Sequence, residues 1–171
     1  NPKIRQEQSW RYELNLEMRL PNDLGVVNSQ FWYRDVTDHI DRVDVSSSEG
    51  TLASARGNIG DGKRYGLNLD LSTKLDNLGL QNALLTTAVR LRDSEYIDPF
   101  LGIKRRQRGN GRWQANVGFR HDVSAHGLTY GLNYSNNSNG GTGRLAIDID
   151  DIEEFIEAPR LSAYVEKRAF G

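Results

Sequence analysis

Strict alternation constrains this chain more than any other feature. Trp10, Tyr12, Leu14, Leu16, Met18 and Leu20 take every second position, with Arg11, Glu13, Asn15, Glu17 and Arg19 between them. Successive side chains of a strand point to opposite faces, so this run has one apolar and one charged face. The pattern returns in Val27, Ser29, Phe31 and Tyr33, in Leu67, Leu69 and Leu71, and in Leu85, Thr87, Val89 and Leu91. It returns again in Trp113, Ala115, Val117 and Phe119, in Leu128, Tyr130, Leu132 and Tyr134, and more briefly in Leu161, Ala163 and Val165. No stripe with a 3.6-residue repeat competes with it, so little helix is expected.

The connections sort into two kinds. Turn residues cluster at Pro21-Asn22-Asp23, Asp76-Asn77-Leu78-Gly79 and Asp122-Val123-Ser124. Between these short turns run long connections over 35–62, 93–111 and 135–159. Short and long alternate along the chain. Short turns at one edge and long loops at the other is the layout of an outer-membrane barrel.

The apolar face must be covered by something. A soluble sheet would need a second layer, and the sequence offers neither helices nor a second matching set of strands. Lipid can cover it instead, leaving the Arg/Glu/Asn/Gln face to line a polar interior. A mean hydropathy of −0.65 does not oppose this, because alternation hides the apolar half. Cys 0 excludes a disulfide framework and a Cys-based metal site. No run of ~20 apolar residues exists for a membrane helix. Trp 3, Tyr 7 and Phe 5 supply packing material, which argues against disorder. A net charge of −1 gives no general pull toward nucleic acid.

Centring each short turn pairs Leu20 with Val27, Leu71 with Thr87, and Val117 with Tyr130, always apolar or mild on both sides. The same register sets Trp113 opposite Tyr134 near the long-loop edge, where aromatics suit an interfacial girdle. Leu14, Leu16, Leu69, Val89, Val117 and Leu132 are expected on the convex side. Arg11, Glu13, Asp70, Arg90, Gln114 and Asn133 are expected on the concave side.

The opening Asn1-Pro2-Lys3-Ile4-Arg5-Gln6-Glu7-Gln8-Ser9-Trp10-Arg11-Tyr12-Glu13-Leu14 resembles a stretch in the barrel of TonB-dependent outer-membrane receptors. In that family an Asn-Pro, an aliphatic residue, a Glu and a Tyr-Glu-Leu lead into a strand. Gln6 stands where Pro is usual, and Asn15 where Gly is usual. Asn58-Ile59-Gly60-Asp61 followed by Tyr65-Gly66-Leu67-Asn68-Leu69 is a second match, with Asn68 where Glu is usual. Phe119-Arg120-His121-Asp122 and Leu161-Ser162-Ala163-Tyr164-Val165-Glu166-Lys167 are similar in character. The resemblance spans essentially the whole chain. It implies a barrel of ~22 strands closed around an N-terminal plug that engages TonB. About seven membrane strands are legible here. The chain is therefore expected to be an internal piece of the C-terminal half of such a barrel, with the plug and the terminal strands outside 1–171.

The ligand candidates are arginines. Arg90, Arg92, Arg112 and Arg120 fall on the polar face, the first three toward the long-loop end, and Arg105 and Arg106 belong to the loop run Lys104-Arg105-Arg106-Gln107-Arg108. Clustered like charges need acidic partners or an anionic guest. The guest reading gives a carboxylate- or catecholate-bearing siderophore, or the plug. The other reading is an internal ion-pair network with Asp70, Glu13 and Glu17, which barrel interiors commonly hold. The loop run would steer an anionic substrate, meet lipopolysaccharide phosphates or simply be solvated. Asp148, Asp150, Asp151, Glu153, Glu154 and Glu157 lack the spacing of an EF-hand and read as a solvated rim, with Leu145, Ile147 and Ile149 suggesting a strand above the membrane. His39, His121 and His126 do not form a metal pattern, and Ser124 with His121 and Asp122 cannot make a triad on one turn.

The sequence thus predicts an all-β, antiparallel up-and-down meander forming part of a transmembrane β-barrel. The resemblance implies a Gram-negative outer-membrane importer, not an enzyme, with no cofactor of its own. Its implied partners are outer-membrane lipid and lipopolysaccharide, a plug domain of the same parent chain, and the TonB complex through that plug. Its ligand would be small: a ferric siderophore, cobalamin or a saccharide. The alternatives are a small complete barrel with a structural or adhesive role and a soluble β-sandwich binding module.

Overall fold

The computed structural model describes residues 4–48, 50–107, 111–137, 144–147, 152–155 and 157–168. Among the described residues twelve strands follow one another: β1 Gln8–Arg19, β2 Gly25–Thr37, β3 Ile40–Asp44, β4 Ser54–Asn58, β5 Gly62–Lys74, β6 Ala83–Ile97, β7 Lys104–Arg105, β8 Trp113–Val123, β9 Leu128–Asn137, β10 Arg144–Ile147, β11 Ile152–Phe155 and β12 Arg160–Lys167. Seven of them form the wall, in the order β1-β2-β5-β6-β8-β9-β12. Every pairing in the wall is antiparallel and joins wall strands that follow one another along the chain. The helical pieces among the described residues are three 3-10 segments of three residues each, at the short turns.

Short and long connections fall at opposite edges, as the sequence predicts. The long ones carry structure of their own. β3 and β4 pair as a hairpin, β7 pairs with β6, and β10 pairs with β11. The strand expected around Leu145 and Ile147 is β10, whereas Ile149 lies outside the described residues.

Ladder pairing tests the faces directly, because paired residues share one. Leu16, Ser29, Leu69, Val89 and Ala115 form one row, and Leu71, Thr87, Val117, Tyr134 and Leu161 another. Arg90 stands in a row with Gln30, Asn68 and Gln114 on the other face. The predicted apolar and polar sets therefore lie on opposite faces. No second layer covers the apolar one among the described residues: Leu14 is 56% exposed, Leu161 72% and Val165 72%. That bare single layer contradicts the β-sandwich. β1 and β12 do not pair with each other among the described residues, so the wall is not the small closed barrel either.

Two registers differ from expectation. Met18, not Leu20, pairs with Val27. Val117 pairs with Tyr134, not Tyr130, and Trp113 pairs with Leu91 rather than standing opposite Tyr134. The cause lies in the turns. β8 runs on through Val123, and the chain reverses over 124–127 with Gly127 left-handed at φ 58. In the first turn Asn22 and Asp23 take the left-handed conformation, at φ 56 and 53, and Leu20 N–H donates to Gly25 O at 2.8 Å. Asn, Asp and Gly tolerate that region best. Both corrections are even shifts, so no side chain changes face.

The aromatic girdle lies in other strands. Tyr12, Tyr33 and Tyr65 share one row of the apolar face, with the Tyr12 and Tyr33 rings 6.4 Å apart. One row above, Trp10, Asp35, Lys63 and Glu95 stand together, and Lys63 Nζ meets Glu95 at 3.3 Å. Charge on this face begins at the tyrosine row, which Asp93 completes, and dominates the row above it. Tyr65 is nine residues from Lys74 at the short-turn edge (74 − 65). That is ~30 Å along the strand, or ~23 Å of height at a ~40° tilt, close to a ~25 Å band.

Candidate functional site

The polar face changes character with height. Near mid-wall it is a neutralised network. Arg90 donates to Asp70 at 2.6 Å and to the Leu69 carbonyl at 3.0 Å, while Asn68 donates to Gln30 at 2.7 Å. Near the short turns, Arg120 pairs with Asp122 at 3.1 Å and Thr129 Oγ1 donates to Asp122 at 2.7 Å. Arg90 thus has the acidic partner expected from the sequence, Asp70, whereas Arg120 takes Asp122 instead of Asp70, Glu13 or Glu17.

Toward the long-loop edge the balance shifts. Arg11, Arg34 and Arg64 are ladder partners in adjacent strands, and Ser94 completes their row. The next row down holds Glu13, Trp32, Gly66 and Arg92. Arg11 pairs with Glu13 and lies 5.5 Å from the Trp32 ring centroid. Sequence reasoning missed this row, because each arginine stands alone in its own strand.

Above the wall, two loop systems are pinned by buried charge. Arg105 Nε donates to Asp98 at 2.5 Å and its guanidinium reaches Asp41 at 3.0 Å. The side chains of Arg105 and Asp41 are 8% and 10% exposed, and that of Asp98 is fully buried. Burial alone would raise the Asp98 carboxyl. The Leu101 N–H, Arg105 and the Phe100 N–H outweigh it and hold Asp98 below the ordinary Asp range. Arg105 is therefore a clamp that ties β3 to the loop after β6.

The second pin is Glu7. It accepts from the Ile40 N–H at 3.1 Å and from His39 Nδ1 at 2.7 Å, and Arg64 lies 3.5 Å away. The His39 ring stacks 4.2 Å from Tyr96, whose hydroxyl accepts from Arg64 Nε at 2.5 Å. Burial holds His39 below the ordinary imidazole value, against the opposing pull of Glu7. Burial would raise Glu7, but Ile40, His39 and Arg64 outweigh it and hold Glu7 below the ordinary Glu range.

Of the six arginines singled out from the sequence, Arg92 and Arg112 are neighbours at the upper strand ends, with Arg106 beside Arg112, while Arg90, Arg105 and Arg120 each hold a carboxylate elsewhere. Arg90 is bound to Asp70 in mid-wall. Arg92 is exposed on the polar face, in the row of Trp32. Arg112 lies 3.9 Å from Asp93 at the upper strand ends. Arg105 is the buried clamp, and Arg106 offers its carbonyl to Arg105 at 2.9 Å while its own NH1 is enclosed without a partner. In the acidic run, Glu157 accepts from Asn137 at 3.0 Å, and Asp148, Asp150 and Asp151 lie outside the described residues.

A family model described as TonB dependent receptor-like, beta-barrel matches residues 1–165. No curated protein matches the chain.

Proposed function

This chain belongs to the TonB dependent receptor-like β-barrel family, and from that premise we propose that it serves active import of a scarce small ligand. The family is one of outer-membrane receptors and transporters. In our reading the ligand is a ferric siderophore or a cargo of similar size, and TonB supplies the energy. One observation carries this: a single-layer wall, apolar on one face up to the Tyr12–Tyr33–Tyr65 row, polar and arginine-rich on the other. A wall of this kind separates lipid from a hydrated passage.

The wall's two outer strands, β1 and β12, have one paired side each among the described residues. A bilayer does not tolerate open strand edges, so further strands complete the barrel in this proposal. A plug domain of the parent chain fills it and contacts the TonB complex. Lipid and lipopolysaccharide cover the apolar band.

The test uses the intact receptor in its own cell. Deleting its gene is expected to cut uptake of one labelled ligand from a panel of ferric siderophores, cobalamin and saccharides at least tenfold. A protonophore is expected to stop the same uptake in the parent strain. Uptake of every ligand that survives the deletion, or that ignores the protonophore, overturns the proposal.

A further inference from the structure

Near the long-loop edge the buried side chains of the wall lie on one side of it. Val36 of β2, Ser94 and Tyr96 of β6, and Asp98 just beyond β6 are at most 5% exposed. By strand alternation they continue the polar-face positions of Arg34 and Arg92. Asp35 and Ile97, their neighbours on the opposite face, are exposed. Among the described residues the chain therefore covers the inner side of the wall at this height and not the outer one.

The cover is the β3–β4 hairpin together with the loop 98–107. A Cβ on Gly62 would lie 2.2 Å from the Tyr96 ring, so that ring lies flat on the backbone of β5. The His39 ring stacks on Tyr96 at 4.2 Å, which sets the base of the hairpin one layer further into the passage. The Gln107 N–H donates to Ser94 Oγ at 2.8 Å and holds the loop to the same side. Three attachments fix the block. Glu7 takes His39 and the Ile40 N–H, and Arg105 joins Asp41 to Asp98. The third is the Asn58 amide, which accepts from the Arg5 N–H at 2.7 Å and donates to the Arg5 carbonyl at 2.9 Å and the Asp38 carbonyl at 2.6 Å. Both stretches that carry the family resemblance, the one before β1 and the one opening at Asn58, thus meet at the foot of the hairpin.

Loops that move are drawn from the weakly held parts of a structure, with few buried contacts and solvated backbone. This block has the opposite character. Lifting it would unstack two rings and strand buried charges of both signs. We infer that the β3–β4 hairpin and the loop 98–107 form a fixed ledge on the inner side of the mouth. The ledge narrows the passage over β2, β5 and β6 and stays seated while the receptor works, so motion that admits cargo is confined to other sectors of the rim. The importer reading supplies the passage; the three attachments supply the fixity.

Labelling of single cysteines in the full-length receptor, on whole cells with a membrane-impermeant maleimide, tests it; residues 1–171 bring no thiol of their own. Ser94→Cys lies under the ledge, and Leu52→Cys, at a position 64% exposed, is the open control. Ser94→Cys is expected to react at least tenfold more slowly than Leu52→Cys, in energised cells and after a protonophore alike. Arg105→Ala added to Ser94→Cys is expected to raise its labelling severalfold. Should that variant fail to assemble, Asn58→Ala, which cuts the attachments to Arg5 and Asp38, is expected to raise it in the same way. Equal labelling at the two positions overturns the inference. So does labelling of Ser94→Cys that appears in energised cells alone, the mark of a moving gate, and so does labelling that neither Arg105→Ala nor Asn58→Ala changes. The two proposals fail separately. A protected Ser94→Cys in a receptor whose deletion changes no uptake sinks the importer reading and leaves the ledge.

Discussion

Two neighbours on β6 separate the faces of the wall in a single experiment. Val89 lies on the apolar face, between Leu69 and Ala115. Ala88 lies on the polar face, between Asp70 and Asn116. Val89 stands five residues above Leu84, which pairs with Lys74 at the short-turn edge (89 − 84). That is ~17 Å along the strand and ~13 Å of height at a ~40° tilt, the middle of a ~25 Å apolar band. An arginine facing lipid at that depth costs ~2–4 kcal/mol. At ~1.36 kcal/mol per tenfold, Val89→Arg should lower the folding equilibrium ~30- to ~900-fold. Ala88→Arg places the same charge in the passage beside Asp70, where it should cost less than ~1 kcal/mol. Both variants are made in the full-length receptor. Assembly is read from heat-modifiable gel mobility, and stability from equilibrium unfolding in lipid vesicles. Equal losses, or a larger loss for Ala88→Arg, would refute the assignment of faces.

Three further outcomes follow from the loop clamps and the glycine contact. Arg105→Ala leaves Asp98 and Asp41 without their shared cation, a loss of ~3–5 kcal/mol for a buried pair; hydrogen exchange should accelerate in β3 and β7 and stay unchanged in β8, and unchanged protection in β3 would contradict the clamp. The Glu7–His39 pin should loosen in acid: both folded-state values are lowered, so its stabilisation is complete above the unfolded imidazole value of ~6.5 and erodes as pH falls below it, first through His39 and then through Glu7. The protection factor of the Ile40 amide, its exchange rate corrected for the intrinsic fall with pH, should therefore drop from pH 7 to pH 5, and a rise would reverse the sign. Gly66→Ala puts a methyl group against Trp32 and the Leu91 carbonyl, an overpacking cost of ~1–3 kcal/mol, and an unchanged melting temperature would mean the indole does not lie there.

The wall is legible in the sequence because two solvents of opposite character write themselves into alternate positions. Leu67, Leu69 and Leu71 against Asn68, Asp70 and Ser72 need no tertiary information. The hairpin above the wall is not legible in this way. Ser54–Asn58 has no apolar alternation and few strand-favouring residues, and its pairing with Ile40–Asp44 carries it. Arg105 is illegible for a related reason. In the sequence it is one of several basic residues in a row. Its role comes from Asp41, 64 positions away, folding back onto it.

The arginine row shows how much rests on a turn. Its members are plain in the sequence, as single polar positions of β1, β2 and β5, and so are the strands that hold them. What brings Arg34 beside Arg11 is the first turn, which sets partners whose numbers sum to 45. Centring that turn on Asp23 and Leu24 gives a sum of 47 and puts Arg34 opposite Glu13. Every face would be the same, and the alternation would be satisfied equally well. Yet the row would then read as a closed Arg–Glu pair. The left-handed Asn22 and Asp23 move the reversal by a single residue along the chain. That step turns a neutral ladder into adjacent like charges, leaves Arg34 without a carboxylate, and sets Trp32 rather than Arg34 across from Glu13. The local backbone preference of two turn residues thus decides whether the upper wall carries cross-strand Arg–Glu pairs or adjacent like charges.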